Sequence, residues 1–233
     1  MASGTDGLAP GRAELAPTRG RDTPHAPQSS VGRAEPQTGS EPYERPSAAR
    51  QRILATAFGL FYAHGPRGVG VDRIIADSGV AKATFYKHFP RKDDLVLAYL
   101  ELVEQTWFGQ LRAAAGAAGA QPRDQLVGMF DALGSACRRD GYHGCAFINT
   151  AAEAEPGSAV HARTVEHKTV VRRWVADLAQ RAEAPDPDLL ARQLTVLLDG
   201  GLSSGVLDAD PDSPAAAKAA ARALVDAACP SDG

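Results

Sequence analysis

From Ser47 onward, apolar side chains recur every three or four positions, a spacing that lays them along one face of an α-helix. Ile53, Leu54, Ala57, Phe58 and Phe61 form the first stripe; Ser47 suits an N-cap, and Gly65-Pro66 ends the run. Two short amphipathic stretches follow, broken at Asp77-Ser78-Gly79. Ile74 and Ile75 give the first its apolar face, while Val80, Phe85 and Phe89 point inward from the second. Gly79 stands where a tight turn needs a positive φ. Leu95, Tyr99, Leu102, Val103, Trp107 and Leu111 then mark a helix from about Arg91 to Ala115.

Pro122 opens the next helix, whose stripe of Leu126, Phe130, Leu133 and Cys137 runs to Gly141. A short helical piece is predicted over about 145–155. A long helix over about 158–184 carries Val160, Thr164, His167, Val171, Trp174 and Leu178 on one side. Pro185 and Pro187 separate it from a helix over about 188–207, and another over 214–228 closes the chain. No segment alternates with period two. The fold class is therefore all-α.

The stretch before Ser47 looks different. Residues 1–46 are rich in Pro, Gly, Ser and Thr and carry no apolar period, so they read as a disordered tail. Its arginines (Arg12, Arg19, Arg21, Arg33 and Arg45) alternate with acids, which favours a solvated tail over an arm reaching a minor groove. Residues 47–92 form a first domain, with a helix-turn-helix over about 70–89, and residues 93–233 a larger helical one. Two short helices joined by a Gly turn, the second presenting polar and basic groups, is the arrangement that places a recognition helix in the major groove of DNA.

The run Gly79-Val80-Ala81-Lys82-Ala83-Thr84-Phe85-Tyr86-Lys87-His88-Phe89, followed by Lys92 and Leu95, closely resembles the recognition segment of the tetracycline-repressor (TetR) family. The resemblance covers about residues 47–107 and is architectural beyond. It implies phosphate contacts from Lys82, Tyr86, His88 and Lys92, with Thr84 and Lys87 reading base edges. Two positions depart from the family pattern: Ala81 and Val71 stand where a capping Ser or Thr is common, so phosphate anchoring there falls to other groups such as Arg67 or Arg73.

Charge agrees with a DNA reader. The net charge of −3 conceals a basic segment: residues 47–92 hold eight Lys/Arg against two acids, and residues 93–233 hold twelve against twenty. A protein with one basic end meets phosphate with that end. The resemblance implies a homodimer on a palindromic operator. Its pairing elements are expected in the helices over 158–184 and 188–207, where Gly200, Gly201, Ser203, Ser204 and Gly205 suit close helix approach. It also implies a small-molecule effector, of unspecified identity, in a pocket of the second domain; Tyr99, Trp107, Phe130, Cys137, Cys145, Phe147, Asn149 and Trp174 are the candidate lining residues.

Other classes find less support. The six histidines are scattered, and there is no Gly-rich phosphate loop or nucleophile elbow, so no catalytic residue and no cofactor is assigned. His143, Cys145, His161 and His167 lack a strong metal-ligand spacing. Cys145, near Arg138, Arg139 and His143, is a candidate thiol sensor within the same fold. At 233 residues and 44% hydrophobic the chain can bury a sizeable core. No run approaches the ~18 apolar residues of a membrane span. Three cysteines without a paired framework, and a start lacking a basic-then-apolar pattern, fit a cytoplasmic protein.

Overall fold

The computed structural model describes residues 47–207 and 212–229, so the stretch 1–46 and its arginines lie outside the described residues. Ten helices and no strand occur among the described residues. α1 (Ala48–Gly68), α2 (Val71–Ser78) and α3 (Lys82–His88) pack around Ile53, Phe61, Ile74, Phe85 and Phe89, all buried. Ser47 caps α1 by accepting from the Arg50 N–H at 3.2 Å. Gly79 closes α2 in the left-handed region at φ 64°, turning the chain into α3. The regular helix of α1 breaks at Gly65-Pro66 as its sequence predicts, Gly65 taking φ 72° and ψ 152°, and a single further turn over residues 66–68 follows the kink.

α4 (Lys92–Ala117) leaves this unit and enters the rest of the bundle, made of α5 (Pro122–Gly128), α6 (Asp131–Cys137), α7 (Ala146–Glu153), α8 (Ala159–Arg181), α9 (Pro187–Leu207) and α10 (Ser213–Ala228). The single helix expected after Pro122 is two. Its stripe survives, but at Phe130 the chain tightens into three-residue turns (Phe130 N–H to Val127 O, 3.2 Å; Leu133 N–H to Phe130 O, 3.0 Å), which preserve the periodicity while breaking the helix. α8 and α9, joined by a short link, pack side by side, and α10 covers α9.

The small residues of α9 divide. A Cβ on Gly201 would sit 2.9 Å from Leu133 and 3.2 Å from Ala217, and one on Gly205 2.8 Å from the Cys137 sulfur. Both glycines thus serve packing inside the subunit, contrary to the expectation that they face a partner. Gly200 alone of the three opens to free space. α8 and α9 instead leave Val165, Leu189, Val196, Val206 and Leu207 exposed. No helix among the described residues is long and apolar enough to cross a membrane.

Candidate nucleic-acid interface and the cavity behind it

Burial of Phe85 and Phe89 rotates the opposite side of α3 outward. Lys82, Tyr86 and Lys87 are exposed there, and Thr84 and His88 are half-buried at its margins. Tyr86 is 43% exposed, an aromatic side chain left at the surface among cations. Lys92 opens α4 at the same end of the unit. Neither α2 nor α3 has a side-chain cap, as the Gly70 and Ala81 cap positions require.

Several cations in this region already have partners. Lys82 lies 3.4 Å from Asp72, Arg73 lies 3.6 Å from Asp77, and Arg91 donates to Asp94 at 2.8 Å. Exposed pairs of this kind are worth little. Arg67 is committed elsewhere: its backbone N–H donates to the Glu153 carboxylate at 2.8 Å and its guanidinium to the Glu153 carbonyl at 3.4 Å. Two contacts invisible in the linear pattern fix α3 on α1. Ser47 Oγ and His88 Nε2 are hydrogen-bonded at 3.0 Å, and the Arg50 guanidinium lies 5.1 Å above the Phe89 ring. One nitrogen of His88 is thereby engaged within the protein.

Behind this unit lies a cavity of about 270 Å³. Its walls come from α1 (Phe58, Tyr62), one face of α4 (Val103, Thr106, Trp107, Gln110), the α6–α7 link with the start of α7, and Leu202 of α9. α1, a helix of the DNA-reading unit, is thus also a cavity wall. Trp107, Cys145 and Phe147 line it, as does Tyr142. The other candidate lining residues lie elsewhere. Tyr99 is packed edge-on against Phe58 and Phe61, Phe130 is sealed in the core, and Cys137 abuts Gly205. Trp174 meets Phe108, and Asn149 is exposed, its amide donating to the His143 carbonyl at 2.7 Å. Local backbone satisfies that amide.

Most polar groups around the cavity are paired within the protein. Tyr62 donates to the Gly144 carbonyl (3.1 Å) and accepts from the His143 N–H (3.2 Å), Tyr142 donates to the Leu202 carbonyl (2.8 Å), and Thr106 to that of Leu102 (2.9 Å). Burial pushes both phenols above their ordinary value, so they remain protonated donors. Gln110 differs: its Oε1 is buried and has no hydrogen-bond partner among the described residues. His167, expected on the apolar side of its helix, stacks on Phe147 and bonds Glu104, and among the described residues no group of three or more His, Cys, Asp or Glu could hold a metal ion.

Residues 53–99, which span these elements, match the family model described as bacterial regulatory proteins, tetR family. The chain is 33% identical to SCO4454, a TetR-family transcriptional regulator from Streptomyces coelicolor, covering 78% of this chain and 96% of that one with a TM-score of 0.73. A tetR-type regulator (sav143) from Streptomyces avermitilis is 27% identical, with 78% and 98% covered and a TM-score of 0.70. The HTH-type transcriptional regulator YjdC of Escherichia coli is 23% identical over 158 residues, 66% of this chain and 81% of YjdC. With its helix-turn-helix inside the matched segment and one residue in three shared along nearly the whole of a family member, this chain belongs to the TetR family of transcriptional regulators.

Proposed function

We propose that this regulator is a homodimeric repressor that holds a palindromic operator and releases it when a small molecule fills the cavity. The outward face of α3 carries the reading. Lys82, Tyr86 and Lys92 supply phosphate contacts, His88 adds one through the ring nitrogen that Ser47 leaves available, and Thr84 and Lys87 meet base edges. A single seven-residue helix reads too few base pairs to select a genomic site, so two copies at fixed separation are required. The apolar side chains left exposed on α8 and α9 favour those helices for pairing.

Relief by an effector is supported by the position of α1. Because Phe58 and Tyr62 wall the cavity, a molecule entering it pushes directly on the helix that carries the reading unit. The Tyr62 bonds to Gly144 and His143 are the contacts such a push disturbs.

Selection of binding sites from random duplex DNA tests this. The sites recovered should have two-fold symmetry and bind two subunits, with affinity falling steeply as salt rises. Recovery of asymmetric sites, or unchanged binding by a Lys82/Lys92 double alanine variant, overturns the reading.

A further inference from the structure

We infer that the cavity takes an uncharged, planar aromatic molecule that carries an O–H or N–H donor, and that Gln110 is the group that recognises the donor. This rests on the reading of the cavity as the effector site and names the chemistry it selects.

Five aromatic side chains (Phe58, Tyr62, Trp107, Tyr142 and Phe147) line this one space, out of fourteen in the chain. Rings on several sides favour a flat, polarisable guest, since stacked and edge-on contacts both gain beyond simple burial. At about 270 Å³ the space accommodates a fused bicyclic molecule. Among the described residues its charged lining groups are Arg139 and Asp140, both exposed and of opposite sign, so they leave no net charge to attract an ion.

The polar requirement follows from the hydrogen bonds. Tyr62, Tyr142 and Thr106 all donate to backbone carbonyls of the protein. Among the described residues the Gln110 carbonyl has no partner, and a buried unpaired acceptor is destabilising. Gln110 belongs to the α4 wall, one turn beyond Thr106 and Trp107, and its Oε1, sealed off in the empty cavity, meets a donor on the bound molecule when the terminal amide rotates toward it. A guest without a donor leaves that deficit in place and is rejected accordingly.

Calorimetric titration of the full-length protein with three matched probes tests the inference: 2-naphthol, 2-methoxynaphthalene and decahydro-2-naphthol. The first is flat with a donor, the second flat without one, the third a donor that is not aromatic. 2-Naphthol should bind about tenfold or more tightly than either, a margin of about 1.4 kcal/mol. Gln110→Met should abolish the margin over the ether, chiefly by weakening 2-naphthol. The same substitution should raise the melting temperature of the ligand-free protein, because it removes the orphaned acceptor, and that rise verifies that the variant is folded. Equal binding of the ether or of the saturated alcohol, retention of the margin by Gln110→Met, or no binding by any probe overturns it. Adding 2-naphthol to the protein on its selected operator separates the two readings. Tight binding without release of DNA leaves the ligand class standing and removes the effector role.

Discussion

The imidazole of His167 lies flat on the ring of Phe147, with centroids 3.6 Å apart and planes 7° from parallel. Phe147 is part of the cavity wall, and His167 Nδ1 meets Glu104 of α4 at 3.1 Å. An ionised carboxylate only accepts, so the proton of that bond sits on Nδ1. Glu104 also pairs with Arg163, and Lys168 of α8 with Asp199 of α9. The stack therefore places a titratable group between Phe147 of the cavity wall and Glu104 of α4.

Acid should loosen this junction. Burial lowers the His167 pKa from 6.5, Glu104 opposing and Lys168 and Arg163 adding to the decrease. A histidine held neutral in the fold binds fewer protons than in the unfolded chain. Its contribution is therefore complete above about pH 6.5 and is lost as pH falls. Denaturant unfolding between about pH 7.5 and 5 should show stability declining, and His167→Asn should flatten that decline. An unchanged slope in the variant would assign the acid sensitivity to other groups.

What the sequence made legible, and what it hid, divides by range. The α2–α3 turn was readable because Gly79, Phe85 and Phe89 act within a few residues of one another. Periodicity also found the long helices, α8 among them. It could not show the break at Phe130, since tightened turns keep the same apolar spacing. Nor could it say which side a glycine presents: Gly200 and Gly201 are neighbours in the chain, and one faces space while the other faces Leu133. The cavity was half legible. Trp107, Cys145 and Phe147 stand out in the segments that form it, but Phe58 reads as core of the first helix and Tyr62 lies outside the apolar stripe. Their meeting with Tyr142 depends on contacts across some eighty residues, such as that of Tyr62 with Gly144.

The Glu153 clamp on α1 should be sensitive to Gly65. Gly65 sits at φ 72°, and a Cβ there would collide with the Glu153 carboxylate that holds the Arg67 N–H. Gly65→Ala should therefore destabilise by about 1–3 kcal/mol through backbone strain and steric conflict together. Glu153→Ala, which removes only the acceptor at a solvent-accessible site, should cost about 1 kcal/mol. Urea midpoints compare the two. A neutral Gly65→Ala would mean that α7 moves aside freely.

On the DNA face, Ser47→Ala should weaken operator binding although Ser47 need touch no base. It removes both the cap of α1 and the bond that orients His88, and cap loss alone costs about 1 kcal/mol. Lys82→Ala and Lys92→Ala should each reduce the salt dependence of binding by about one phosphate contact and affect all sequences alike. Thr84 and Lys87 substitutions should instead change the sequence selected. Gel-shift titrations at several salt concentrations decide which group does which.

The last prediction separates pairing between subunits from packing within one. Val196 on α9 is 69% exposed, and Val165 on α8 is 52% exposed. If the subunits pair through this face about a two-fold axis, each substitution there is felt twice. Val196→Glu should then convert the dimer to a folded monomer with unchanged helix content, because the side chain touches little of its own subunit. Operator affinity should fall sharply, since the two recognition helices lose their fixed separation. Gly201→Leu should behave differently. Its side chain would enter the space held by Leu133 and Ala217, so overpacking should lower the melting temperature of the subunit, at a cost of about 1–3 kcal/mol. Light scattering reads the first effect and thermal circular dichroism the second. A Val196→Glu variant that stays dimeric would move the interface off this face of α9, with the exposed side of α10 the next surface to test.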